Sequence, residues 1–189
     1  MSAPGLAHGQ SNIWQVEEDW ELVLAEPDAA TAGPQVTCTI SPVGNIAGQH
    51  ATFEVNYQTA PAFSAGGVHL HVWNHESRLS TVSRNSSVVL STAGETIRWK
   101  VIMSVSDGNL TVDIDNGTSS TWGGFGDGQL ISVATSLTNL DQYSPAVSVE
   151  HSGVGFASNR VQSLKITKIK TKRTGGQVTE DNTIRVVHD

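Results

Sequence analysis

The chain has 189 residues, enough for one large domain or two small ones, and a core of that size needs no staples. Its net charge of −7 argues against nucleic acid or an anionic membrane as the main partner. Charged residues are only 15% of the chain, Gly, Ser, Thr and Val are plentiful, and no stretch approaches the roughly 20 apolar residues of a transmembrane helix.

Residues 1–11 read as a tail without the basic start and apolar run of a signal peptide. Either the protein stays inside the cell, or Met1 stands in place of an export signal. Residues 13–24, IWQVEEDWELVL, read as a strand. Trp14, Val16, Trp20, Leu22 and Leu24 point one way, and Gln15, Glu17, Asp19, Glu21 and Val23 the other. Glu18 falls out of place on the apolar side, a position that suits an edge. After the loop AEPDAATAGP, strands are expected at 35–41, with Val36, Cys38 and Ile40 inward, and at 50–57, with Ala51, Phe53, Val55 and Tyr57 inward. Cys38, the single cysteine, has no internal partner and reads as a small buried hydrophobe. PAFSAGG is a loop, and VHLHVW at 68–73 alternates Val68, Leu70 and Val72 inward with His69, His71 and Trp73 outward. Shorter strands are expected near 77–82 and 86–91.

Residues 95–122 organise the rest. In ETIRWKVIMSV the apolar residues Ile97, Trp99, Val101, Met103 and Val105 fall at every second position, the period of a strand with one buried face. Asp107-Gly108 follows and suits the positive φ angles of a two-residue type I′ turn. That turn pairs Val105 with Leu110, Met103 with Val112 and Val101 with Ile114, all apolar and on one face, so turn chemistry and pattern agree on one register. Asn116-Gly117 predicts a second tight turn, pairing Val112 with Thr121 and Thr111 with Trp122 and placing Trp122 opposite the core. WGGFGDG is then a glycine-rich loop with two aromatics. Further strands fit 129–135, 145–150, 153–157 and 161–171. TGGQVTEDN reads as a linker and TIRVVHD as a last strand, with no internal repeat and at most a short helical turn near LTNLDQY. The N-x-[ST] triplets at Asn85, Asn109 and Asn116 need no glycosylation at the two that sit at turns.

A dozen short strands at this spacing predict an all-β, two-sheet antiparallel β-sandwich over residues 12–173, with 174–189 as an extension. RWKVIMSVSDGNLTVDIDNG resembles the back-sheet hairpin of concanavalin A-like lectin/glucanase (laminin-G-like) jelly rolls. SGVGFASNRVQSLKITKIK is similar to their closing strands, where a glycine-rich segment precedes the strand that pairs near the N-terminal one. The likeness spans residues 12–172 and implies a fold that many functions share. Calcium enters by this resemblance alone, since related folds bind it in other loops. Asp113-Ile114-Asp115-Asn116-Gly117 lacks the closing Glu and the frame of a calcium loop.

Three constellations could carry chemistry. Glu17, Asp19 and Glu21 match the E-x-D-x-E pattern of the glycoside hydrolase branch, with carboxylates about 7 Å apart on one strand face. In that branch the motif lies mid-chain on a concave strand, whereas here it opens the sandwich. The bland reading is an acidic stripe paired with Lys165, Lys168, Lys170 or Lys172. His69 and His71 share a strand face and could reach one metal ion with His75 or His50, but a site needs a third or fourth ligand, and two outward polar residues explain them as well. Trp73, Trp122, Phe125 and Asp127, with His69 and His71, could form a sugar-gripping surface of ring faces and hydrogen-bonding groups. Those aromatics could equally be packed by a loop or a subunit. No P-loop, Rossmann, G-x-S-x-G or Cys–His arrangement is present.

The reading that follows is a non-enzymatic binding module with a glycan, or another protein surface, as partner and no cofactor. The first rival is a self-associating, homo-oligomeric subunit of a surface layer, filament or shell. The second is a glycoside hydrolase using Glu17 and Glu21.

Overall fold

The computed structural model describes residues 11–26, 33–57, 67–86 and 88–189. Most of the expected N-terminal tail, and most of the loops after Glu26 and after Tyr57, lie outside the described residues. The described elements are β1 (Ile13–Leu24), β2 (Gln35–Ile40), β3 (Gln49–Val55), β4 (Gly67–Asn74), β5 (Ser77–Asn85), β6 (Thr96–Ser106), β7 (Asn109–Ser119), β8 (Gly123–Phe125), β9 (Leu130–Ala134), α1 (Pro145–His151), β10 (Gly153–Phe156), β11 (Val161–Arg173), β12 (Val178–Asp181) and β13 (Arg185–His188).

The strands form two antiparallel sheets, an all-β sandwich. The large, eight-stranded sheet runs β12-β11-β1-β6-β7-β8, with β13 also on β11 and β9 also on β7. The small, five-stranded sheet runs β10-β2-β3-β4-β5. The alternation that predicts the strands also fills the core. Val16, Trp20, Leu22, Ile97, Trp99, Met103 and Leu110 come from one inner face, and Cys38, Ile40, Phe53, Leu70 and Val72 from the other. Trp20 and Trp99 stack with centroids 6.2 Å apart and planes 3° from parallel, and Phe53 reaches across to Trp99 at 6.1 Å. The tryptophan pair joins β1 and β6 within the large sheet, and the Phe53–Trp99 contact carries the aromatic packing across to the small sheet.

The β6–β7 hairpin has the expected register, with Val105 opposite Leu110, Met103 opposite Val112 and Val101 opposite Ile114. Asp107 and Gly108 sit at φ +51° and +74°. The expected second turn at Asn116-Gly117 does not form. β7 runs on to Ser119, and Asn116, at φ +53°, makes a bulge between the Lys100–Asp115 and Arg98–Thr118 pairs. Asn tolerates the left-handed region that such a bulge requires. Val112 therefore pairs with Ile131 of β9, and Thr111 with Ser132, instead of Thr121 and Trp122. The chain reverses at Ser120–Trp122, where Glu95 gathers the turn. Its carboxylate accepts from the Ser119 hydroxyl at 2.5 Å, the Thr121 hydroxyl at 2.6 Å and the Thr121 N–H at 3.0 Å. Burial works to raise the Glu95 pKa, but the hydroxyl donors hold it below the ordinary value.

Other expectations are corrected by tertiary contacts. Residues 145–150 form helix α1, not a strand, begun by Pro145, whose fixed φ suits a first helical turn. The 86–91 segment, apart from Ser87, is described and carries no strand; Leu90 is instead anchored by Asn56, whose amide bonds Leu90 N and O, both at 2.8 Å, and Pro34 O at 2.9 Å. Asn56 at φ +59° ends β3, so Tyr57 turns away from the core. Trp14 also leaves the apolar face: the β1–β11 register shifts between Ile13 and Gln15, and its ring lies under Lys172. The expected linker is partly β12, joined to β11 by a hairpin with Gly175 and Gly176 at φ +87° and +85°. The last strand folds back on its own sheet as β13.

Glu18 lies on a central strand, not an edge, and is fully buried. Its carboxyl group is held by Trp20 Nε1 at 3.0 Å, the Tyr143 hydroxyl at 2.7 Å and the Ser148 hydroxyl at 2.5 Å. The last two come from α1 and the turn before it, which also touch β2 and β13 and so plug the side of the sandwich. Cys38 is a free, buried thiol pushed well above its ordinary pKa by desolvation, as expected of an inert core residue. Among the described residues no helix is long and apolar enough to cross a membrane.

Candidate functional site

The two outer faces of the sandwich differ in kind. On the large sheet, Glu17, Asp19 and Glu21 of β1 lie between cations on both neighbouring strands. Glu17 meets Lys100 at 3.1 Å and Lys172 at 2.7 Å. Asp19 meets Lys100 at 3.7 Å and Lys168 at 3.4 Å. Glu21 meets Arg98 at 2.6 Å and Lys165 at 2.8 Å. Burial works to raise the Glu17 pKa, but Lys172 and Lys100 hold it below the ordinary value; Glu21 is lowered first by Lys165. Retaining glycoside hydrolysis needs one carboxyl whose pKa is raised so that it can give up a proton. Here neither glutamate is raised, and the E-x-D-x-E pattern makes a charge ladder.

The outer face of the small sheet is built differently. Inward Val68, Leu70 and Val72 force His69, His71 and Trp73 outward on β4, and inward Ala51, Phe53 and Val55 do the same for His50, Thr52 and Glu54 on β3. Strand register then aligns these groups in rows across the sheet. One row is Thr37, Glu54, His69 and Ser83; the next is Thr39, Thr52, His71 and Thr81; the third holds His50, Trp73 and Arg78. Along β4 the rings touch in sequence. Tyr57 stacks on His69 at 3.4 Å, His69 meets His71 edge-on at 5.3 Å, and His71 meets Trp73 at 5.6 Å. Trp73 Nε1 donates to Thr52 Oγ1 at 2.9 Å, and the Arg78 guanidinium lies 5.9 Å from the Trp73 ring centroid.

Glu54 stands at the centre of this face. Its Oε2 lies 3.4 Å from His71 Nε2 and 4.0 Å from His69 Nδ1. The geometry to His71 falls short of a hydrogen bond, and Glu54 Oε2, His69 Nδ1 and His71 Nδ1 are all buried without a hydrogen-bond partner among the described residues. Desolvation, with the neighbouring His71 and Arg78, lowers His69 to about 4. Desolvation also lowers His71, outweighing the pull of Glu54 in the other direction. Both rings are therefore neutral at pH 7, with lone pairs to offer. His75, at φ +54° in the β4–β5 turn, is exposed and stays out of the group. His50 is buried, with Nδ1 3.1 Å from Gly48 O, and is also separate from it.

The expected aromatic set divides. Trp73 lies on this face. Trp122 packs against the core with Nε1 donating to Val88 O at 2.6 Å, and Phe125, 6% exposed, meets it edge-on at 5.7 Å. Both are loop packing, not an open platform, because the β7 bulge carries the chain past the position where a tight turn would have turned Trp122 outward. Asp127 is exposed in the turn before β9 and joins neither group. Alternation in ATFEV turns Glu54 outward, but nothing else in the sequence singles it out. What the sequence lacks is the pairing of β3 with β4.

The fold and its faces define a two-sheet antiparallel β-sandwich with one charge-saturated face and one face of aromatic, hydroxyl and imidazole groups. No protein-family model, curated protein or solved structure matches this chain.

Proposed function

We propose that this chain is a non-enzymatic binding module, that its ligand is carbohydrate, and that the outer face of the small sheet takes it. The observation that carries this reading is the contrast between the faces. The β1 carboxylates of the large sheet are each already bridged by two cations, whereas the rows around the half-buried Trp73 ring carry the exposed hydroxyls of Thr81 and Ser83. A hydroxylated ligand needs hydrogen-bonding groups set around an apolar ring face. Glycan-array binding followed by titration of the hit tests it. Trp73→Ala should weaken binding about tenfold, equal to about 1.4 kcal/mol. An array without a hit, or a hit indifferent to Trp73, counts against the reading.

The structural-subunit reading has one observation of its own. β12 and the segment at β13 lie on an outer edge of the large sheet and expose Val178, Ile184 and Val186. An apolar edge can add a strand from another copy. Concentration-dependent assembly in light scattering would favour it over the glycan reading.

A further inference from the structure

We propose that Glu54, His69 and His71 form a binding site for a divalent transition-metal ion of the zinc type. One nitrogen of each histidine and a carboxylate oxygen of Glu54 all lie within 4.8 Å of one another. Two ligands on a tetrahedral zinc ion are about 3.4 Å apart, from metal–ligand distances of about 2.0–2.1 Å. The Glu54–His71 separation of 3.4 Å already matches that value, and the Glu54–His69 separation of 4.0 Å closes with a small side-chain rotation. Strand pairing sets the geometry: Glu54 is directly opposite His69, and His71 is two residues along the same face.

Three features favour a metal over a plain polar cluster. The Glu54 oxygen and the His69 nitrogen that face each other are buried with no hydrogen-bond partner among the described residues, a costly arrangement that a shared cation would satisfy. Among the described residues no lysine or arginine is in salt-bridge contact with Glu54, in contrast to the carboxylates of β1. The donor set of two imidazoles and one carboxylate suits zinc, cobalt, nickel or copper and falls short of the six to eight oxygens that calcium takes. Tyr57 stacked on His69, and the His71–Trp73 contact, limit the freedom of both imidazole rings. Three protein ligands leave a position for water or for an oxygen of a bound molecule.

The site stands whether or not the sheet binds a glycan, and the two are read separately. The full chain is treated with chelator and titrated with cobalt chloride, followed by visible absorption, and with zinc chloride, followed by calorimetry. The expected result is one ion per chain, with intense tetrahedral cobalt bands, and a rise in Tm with added zinc. His69→Gln, His71→Gln and Glu54→Gln should each weaken zinc binding at least tenfold, since losing even an outer-shell partner costs about 10–100-fold. His75→Gln should leave it unchanged. Circular dichroism of each variant without metal confirms that the sandwich is intact, as expected for substitutions on an outer face. Absence of stoichiometric binding in the wild type overturns the proposal, and so does binding that survives in a folded His69→Gln/His71→Gln double variant. Glycan binding repeated in chelator reports on the carbohydrate reading alone.

Discussion

The Tyr143 hydroxyl donates to Glu18 Oε1 at 2.7 Å, although the two residues are 125 positions apart in the chain. Glu18 belongs to the central strand β1, and Tyr143 to the segment leading into α1, so this bond fastens the side plug to the middle of the core. Burial raises the Glu18 pKa from 4.5 to about 7, against the opposing effect of the Ser148, Tyr143 and Trp20 bonds. The folded protein therefore keeps a proton that the unfolded chain loses between pH 4.5 and 7, and unfolding releases it. Glu18 is most favourable to folding below pH 4.5, and its contribution falls as pH rises to about 7, by roughly 3 kcal/mol at about 1.4 kcal/mol per pH unit. The difference in urea-unfolding free energy between wild type and Glu18→Gln, taken at pH 5 and again at pH 8, measures this. Gln at 18 should lose less, relative to wild type, at pH 8. Equal differences at the two pH values would mean that Glu18 titrates normally.

The β1 carboxylates behave in the opposite sense. Glu17 and Glu21 are held below their ordinary pKa, so the stability they supply is present above about pH 4.5 and is lost as acid protonates them. Each ion pair contributes about 0–1 kcal/mol and weakens with salt. Glu21→Gln, which breaks two such pairs, should cost no more than about 2 kcal/mol at low ionic strength and less at 1 M NaCl. A large, salt-independent loss would show that packing, not charge, holds this stripe.

Two glycines test the double reversal after β6. At Gly108, φ is +74° and an added Cβ meets nothing closer than Thr135 O at 4.0 Å, so the cost of substitution is conformational. Gly108→Val should lose at least about 1 kcal/mol, because a β-branched residue resists positive φ. At Gly117 a Cβ would lie 2.3 Å from Phe125 O and 2.5 Å from the Phe125 ring. Gly117→Ala should displace the buried Phe125 and cost about 1–3 kcal/mol. Chemical denaturation of both variants gives the numbers; a Gly117→Ala protein as stable as the parent would contradict the packing of β8 on the bulge.

Removal of residues 174–189 strips β12 and β13 from β11. Because both fold back on their own sheet, the truncated chain should remain monomeric in size-exclusion chromatography and melt at a lower temperature. Val187 would be lost from its packing against the core, and the outer edge of β11 would lose its pairing. If truncation instead dissolves a large assembly into folded subunits, the extension is exchanged between copies and the structural-subunit reading gains.

Alternation along the chain determined which residues of β2, β3, β4, β6 and, from Val16 onward, the apolar face of β1 enter the core, because a strand's period of two separates its faces without reference to any partner; at the start of β1 the shift beside Ile13 turns Trp14 out instead. Asp107-Gly108 determined one register, since turn type and apolar match agree there. The resemblance of the closing segment to strands that pair near the N-terminal one implied that the acidic stripe of β1 lies beside the lysines of β11, where the structure has it. Tertiary structure decided what local pattern leaves open. Asn116-Gly117 suits a turn or a bulge equally well, and the demand of Phe125 for space against Gly117 selects the bulge, which in turn buries Trp122. Residues 145–151 alternate weakly, and the open side of the sandwich, with Glu18 waiting for Tyr143 and Ser148, accommodates a helix there. The group of Glu54, His69 and His71 depends on which strand lies beside which. That is set by how the two sheets close over a common core, and no single strand carries it.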